Sequence, residues 1–131
     1  SKVSIEKIKP TIVVFPSSIS YNQDHRIVAE AIHASLRPSL QNSKHKLKTV
    51  LIYEEPSDSW TLQKGFEPDF FVVLTNNQLN TKITALKLYK SQLRATPNLR
   101  SPEILKVFAK ARGALCGCKY AEGYRNLRII Y

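Results

Sequence analysis

Hydrophobic positions in this chain alternate between short continuous runs and helically spaced sets. Thr11-Ile12-Val13-Val14-Phe15 is an unbroken β-branched and aromatic run, which predicts a strand buried on both faces. Before it, Val3, Ile5 and Ile8 read as the tail of a helix stopped by Pro10. After it, Pro16-Ser17-Ser18 marks a loop. Ile27, Val28, Ala31, Ile32 and Leu36 then recur at helical spacing until Pro38. A polar loop over residues 39–46 leads to a second predicted strand at 49–53. Residues 54–68 show no periodicity and carry Pro56, Ser57, Trp60 and Gly65, the pattern of a long surface loop. Residues 69–74 predict a third strand. Thr75 is placed to cap a helix whose face is Leu79, Ile83, Leu86, Tyr89 and Leu93. Ser101-Pro102-Glu103 supplies a cap, a first-turn proline and an early acid for a last helix. That helix runs through Ile104, Leu105, Val107, Phe108 and Ala111 before Gly113, and residues 127–131 predict a final strand.

Strands alternating with helices indicate one α/β domain over residues 1–131, with a largely parallel sheet. Its opening on a helix tail and a buried strand carries the expectation that an N-terminal portion of the fold is missing. Three or four parallel strands alone would leave apolar faces uncovered. A hydrophobic content of 43% excludes wholesale disorder. No apolar run approaches the roughly 20 residues that span a bilayer. The charged opening, residues 1–10, lacks the apolar core of a signal peptide, so a cytoplasmic location is expected.

Charge and cysteine content change this picture little. The net charge of +10 raises a polyanionic partner, either nucleic acid or an acidic surface. The basic residues are nonetheless dispersed, with Lys44, Lys46 and Lys48 the only dense cluster. No aromatic residues interleave with them as in a single-strand binding platform. A solvated basic surface is favoured over a nucleic-acid interface. Cys116 and Cys118 flank Gly117; they are too few for a disulfide framework, and a bridge across one residue would be strained. They could form half a metal site, but small packing thiols are the favoured reading.

In α/β sheets, ligands gather outside the carboxyl ends of the strands. The segment after the first strand is Ser20-Tyr21-Asn22-Gln23-Asp24-His25-Arg26, with His25 in the opening turn of the predicted helix. By itself His25 is either a capping or surface histidine or one ligand of a metal that needs at least three. The segment resembles the Asn/His-x-Asp-His signature of the LmbE/PIG-L zinc-dependent N-deacetylases. Tyr53-Glu54 with Pro56-Ser57 and Trp60 is similar to that family's next loop. Phe66-Glu67-Pro68-Asp69-Phe70-Phe71-Val72 is similar to its following strand. Lys82-Ile83, Ala85-Leu86, Tyr89 and Ser91-Gln92 match its helix, and Arg112-Gly113, Gly117 and Tyr120-Ala121-Glu122 its closing pattern.

The resemblance covers nearly the whole chain and implies a Rossmann-like three-layer sandwich. It implies zinc-dependent hydrolysis of the N-acetyl group of an amino sugar of the N-acetylglucosamine type. His25 would be a zinc ligand, Asn22 a catalytic hydrogen-bond donor and Asp24 a carboxylate that orients His25 or caps its helix. Ser20 departs from the acid expected two residues before Asn22. Glu54 and Glu122 could face substrate, with surface salt bridges an equal reading, and Arg112 could bind a phosphate or sugar acid on the substrate or be a surface charge. Arg94 and Arg100 could likewise bind an anionic group or be surface charges. Tyr21 and Trp60 could stack on a sugar, with packing of Trp60 onto the domain favoured.

The family's first motif, His-Pro-Asp-Asp-Glu, supplies two further ligands and the base, and it is absent here. His25, His33 and His45 are followed by Arg-Ile-Val, Ala-Ser-Leu and Lys-Leu-Lys. The expectation is therefore that this chain alone binds no zinc and is inactive. The motif would arrive on an upstream segment, in cis or as a separate chain, and a homo-oligomer is compatible with this. The rival readings are a non-catalytic partner-binding relic of the fold and a basic module for nucleic acid or an acidic surface.

Overall fold

The computed structural model describes residues 4–37, 47–60 and 65–131. Val3, His45 and the Lys44 and Lys46 of the basic cluster lie outside them. The elements are α1 (Ile5–Ile8), β1 (Ile12–Phe15), α2 (Gln23–Ser35), β2 (Thr49–Tyr53), β3 (Phe70–Val73), α3 (Asn76–Leu88), α4 (Pro102–Leu115) and β4 (Ala121–Ile129). A single 3-10 turn, Pro56–Asp58, interrupts the long loop after β2. The strands form one four-stranded mixed sheet in the order β1-β2-β4-β3. The expected parallel pairing holds for β1 and β2, whereas β3 and β4 are antiparallel. No described helix is long and apolar enough to cross a membrane.

The chain divides into two compact units, residues 1–55 with 125–131, and residues 56–124. In the first, Phe15, Ala29, Leu36 and Val50 form the core, with Ile5, Val13, Ile32, Leu47 and Ile52 packed around it. Helix α2 therefore turns Ala29, Ile32 and Leu36 inward. Ile27 and Val28 stay 55% and 44% exposed, against the apolar face expected from periodicity. Strand β1 is also one-sided: Phe15 is buried, but Ile12 and Val14 are 58% and 46% exposed, so the expected burial on both faces does not hold. Arg128 donates to the carbonyl of Leu36 at 3.1 Å, satisfying one of the acceptors left at the end of α2.

Leu79, Ala109 and Tyr120 form the core of the second unit, flanked by Leu74 and Ile83. Its helices begin where local chemistry says they should. Thr75 and Gln78 form a reciprocal capping box on α3, and Ser101 caps α4 ahead of Pro102. Tyr89 lies at the end of α3 rather than on its face and is 66% exposed. Helix α4 continues past Gly113 to Leu115, and the returning chain crosses so close to residue 113 that only glycine fits. A Cβ there would stand 2.6 Å from the carbonyl oxygen of Cys118 and 2.8 Å from the nitrogen of Tyr120. The last strand starts at Ala121, six residues before the apolar run that suggested it.

Candidate functional site

Strands β1 and β2 are parallel with Phe15 opposite Ile52, so the segments that follow them leave the sheet at the same end. On the β1 side this places residues 16–22 and the first turn of α2. On the β2 side it places Tyr53 and Glu54. His25 is half-buried here, in the first turn of α2, and its ring meets that of Tyr53 edge-on at 6.4 Å between centroids.

The loop before α2 is tied by its own residues. Arg26 donates from Nη1 to the carbonyls of Ser20 and Tyr21, both at 2.8 Å. Ser20 is 2% exposed, and its Oγ accepts the Asn22 N–H at 3.2 Å. The same Oγ lies 3.3 Å from His25 Nδ1. A hydroxyl can donate to that nitrogen or accept from it. When it accepts from Nδ1–H, the Nε2 lone pair is left for a metal or a proton. A carboxylate at this position would enforce that tautomer; Ser20 only permits it.

Asn22 is the N-cap of α2, with its Oδ1 accepting the Asp24 N–H at 3.0 Å. The side-chain oxygen is thereby used, and the amide NH₂ is the part of Asn22 that can address another group. Capping thus falls to Asn22, not Asp24, which is exposed in the first turn where the helix dipole favours an acid. Glu54 is half-buried directly after β2.

Glu122 and Arg112 belong to the second unit. Glu122 on β4 is held between the Lys82 ammonium, which donates to Oε1, and the Tyr124 hydroxyl, which donates to Oε2 at 2.6 Å. Burial would raise the Glu122 carboxyl, but the hydrogen bonds from Lys82 and Tyr124 and the Lys82 charge outweigh it and hold it below its ordinary value. Burial, then the carboxylate beside it, push the Tyr124 phenol well above its ordinary value. Arg112 is half-buried on α4, and its Cδ lies 3.2 Å from where a Cβ on Gly123 would stand.

Of the remaining sequence candidates, Arg94 donates to the carbonyls of Ser91 and Leu93, and Arg100 to Gln92 Oε1 at 2.7 Å. Both bind their own loop. Trp60 is 64% exposed, which corrects its reading as a packed anchor, and Tyr21 is 39% exposed. Ser20, Tyr53, Lys82 and Tyr124 were not marked as partners by sequence. Ser20 carried a signal as the departure from the expected acid, and Tyr53 and Lys82 as positions matching the family's motifs.

The fold recurs in solved structures. A conserved protein from Thermus thermophilus matches 97% of this chain with a TM-score of 0.70 and 20% identity, over 56% of its own length. The N,N'-diacetylchitobiose deacetylase from Pyrococcus horikoshii, solved with its inhibitor, matches 95% of the chain with a TM-score of 0.63 and 19% identity, over 48% of its length. The chain spans about half the length of each. It has a mixed α/β fold similar to that of a deacetylase. No family model and no curated protein matches it.

Proposed function

We propose that this chain is part of a zinc-dependent hydrolase domain of the LmbE/PIG-L type that removes the N-acetyl group from an N-acetyl amino sugar. The observation that carries the reading is His25. It sits in the first turn of α2, past the carboxyl end of β1, with Nδ1 beside a buried hydroxyl and Nε2 as its other coordinating atom. Similarity of fold to a protein named as a diacetylchitobiose deacetylase supports the reaction class.

Among the described residues no group of three or more His, Cys, Asp or Glu could hold a metal, and zinc takes at least three protein ligands. His25 fits one corner of such a site. The other ligands and the base belong to a His-Pro-Asp-Asp segment, supplied in cis or by a separate chain. The exposed Ile12, Val14, Ile27 and Val28 support such a cover. Burying them would stabilise the assembly by about 25 cal/mol per Å² before ordering costs.

Within this chain each residue has a limited task. Ser20 sets the ring of His25. The Asn22 amide donates to oxygen as negative charge develops on the acetyl carbonyl, since it cannot transfer a proton at neutral pH. Asp24 supports the first turn of α2. Glu54 addresses the hydroxyls or charge of the sugar, and Glu122 holds β4 to α3 through Lys82.

The test is amine release from N-acetylglucosamine derivatives with added zinc, using a chain extended upstream through a His-Pro-Asp-Asp segment. Activity is expected, and His25→Ala should reduce it by more than the ~10–100-fold typical of a residue that only orients a ligand. An active protein indifferent to His25→Ala would remove the central assignment.

A further inference from the structure

Cys116-Gly117-Cys118 forms the turn that joins α4 to β4. Cys116 is the C-cap of α4, and the N–H groups of Cys116 and Cys118 converge on the carbonyl of Gly113 at 3.1 and 2.8 Å. Gly117 makes the fold-back with a φ of 72°, in the left-handed region. Nothing lies within 4 Å of the place a Cβ would take there, so the glycine is required by conformation and not by crowding.

The fold-back returns the side chain of Cys118 to Cys116, with Cys118 Sγ 3.6 Å from the carbonyl oxygen of Cys116. Cys116 Sγ faces the carbonyls of Arg112 and Gly113, each at 3.5 Å. Both cysteines are reduced and half-buried, and neither belongs to a core cluster. They are therefore reachable by a small reagent, and the reading as core-packing thiols does not account for them. The neighbouring cation, Lys119, lies over the Tyr120 ring at 5.3 Å from its centroid.

We propose that Cys116 and Cys118 are a redox-active dithiol that closes to an intramolecular disulfide by exchange with a low-molecular-weight disulfide such as glutathione disulfide. One cysteine thiolate attacks a sulfur of glutathione disulfide, forming a mixed disulfide and releasing one glutathione. The other thiolate then attacks the protein sulfur and releases the second glutathione. The protein loses two protons and two electrons, and glutathione disulfide is reduced to two glutathiones. A bridge spanning one residue is strained, and strained bridges are the easily reduced ones, so this pair cycles rather than staples the fold. Burial and the adjacent thiol push Cys118 up, so closure quickens as pH rises through the thiol range. The proposal does not depend on the deacetylase reading.

The experiment incubates the protein in glutathione/glutathione disulfide buffers, quenches with acid, alkylates and reads intact mass and the peptide containing residues 116–118. A loss of two hydrogens in the monomer is expected, mapped to Cys116–Cys118 and reversed by dithiothreitol. Cys116→Ser and Cys118→Ser should each accumulate a persistent glutathione adduct instead. Closure in the folded protein should be at least about tenfold faster than in urea, because the turn holds the Cys118 side chain against Cys116. Equal rates folded and unfolded, stable glutathione adducts on the unaltered protein, or predominantly intermolecular disulfides would each overturn the proposal. The peptide map of the unaltered protein decides the matter even if a serine variant fails to fold.

Discussion

His25 and Glu122 are both half-buried ionisable residues, yet their surroundings differ in kind. Glu122 is saturated: an ammonium on one oxygen, a phenol on the other, and its charged form favoured by both. His25 has a hydroxyl at 3.3 Å on one nitrogen and an aromatic edge at 6.4 Å. A charge that is already matched stabilises a fold and has little left for chemistry. An imidazole oriented through one nitrogen keeps the other for a ligand. The contrast separates a structural cluster from a candidate reactive one more sharply than residue type does.

The largest effect should come from the core of the unit that carries His25. Phe15→Ala is expected to cost about 3–5 kcal/mol in denaturant unfolding, as for other fully buried aromatics. Val14→Thr on the exposed side of the same strand should stay within about 0.5 kcal/mol. An equal loss at Val14 would show that the outer face is covered in solution.

Ser20→Ala should lower deacetylase activity of the zinc-loaded, upstream-extended protein by ~10–100-fold, the range for removing the partner that orients a ligand. Glu122→Gln should instead lower stability by about 1–2 kcal/mol, with activity following the folded fraction. If Glu122→Gln raised KM while leaving the unfolding midpoint unchanged, the contrast would collapse, and Glu122 would be a substrate contact.

Asn22 separates capping from catalysis. Asn22→Ala should destabilise α2 by about 1 kcal/mol, whereas Asn22→Asp, an equally good cap, should not. Both lose the amide donor, so both should lose activity. Activity retained in Asn22→Asp would restrict Asn22 to its cap.

The smallest effect is the pH dependence of the Glu122 cluster. The carboxyl is held below its ordinary value of 4.5, so its contribution is present above that pH and is lost as pH falls through the lower folded value. Tyr124 is raised above its ordinary value of 10.0, so its contribution is complete below that pH and is lost as pH rises beyond it. Unfolding midpoints should form a plateau between these limits, with a decline on the acid side as Glu122 protonates. Lys82→Met should flatten that acid limb; an unchanged limb would mean that other carboxyls set it.

Features legible in the chain are those that depend on neighbours a few residues away. The Thr75 cap, the Ser101-Pro102 start of α4, the strand runs at 12–15 and 70–73, and His25 in a first turn after a strand belong to this group, because caps and continuous β-branched runs act locally. The fold-back at Gly117 is also local, but its return of the Cys118 side chain to Cys116 is a geometric result that composition did not signal. Long-range packing settled the rest. Periodicity gives a helix an apolar stripe but not the neighbour it meets, so α2 buries Ala29 and leaves Ile27 exposed. An apolar strand run does not say whether both of its faces find cover, and β1 uses one. The antiparallel β3–β4 pairing and the Lys82–Glu122 contact join positions far apart in the chain. Such pairings follow from how the whole chain closes, since the entropy of bringing distant residues together is repaid only when many contacts form at once.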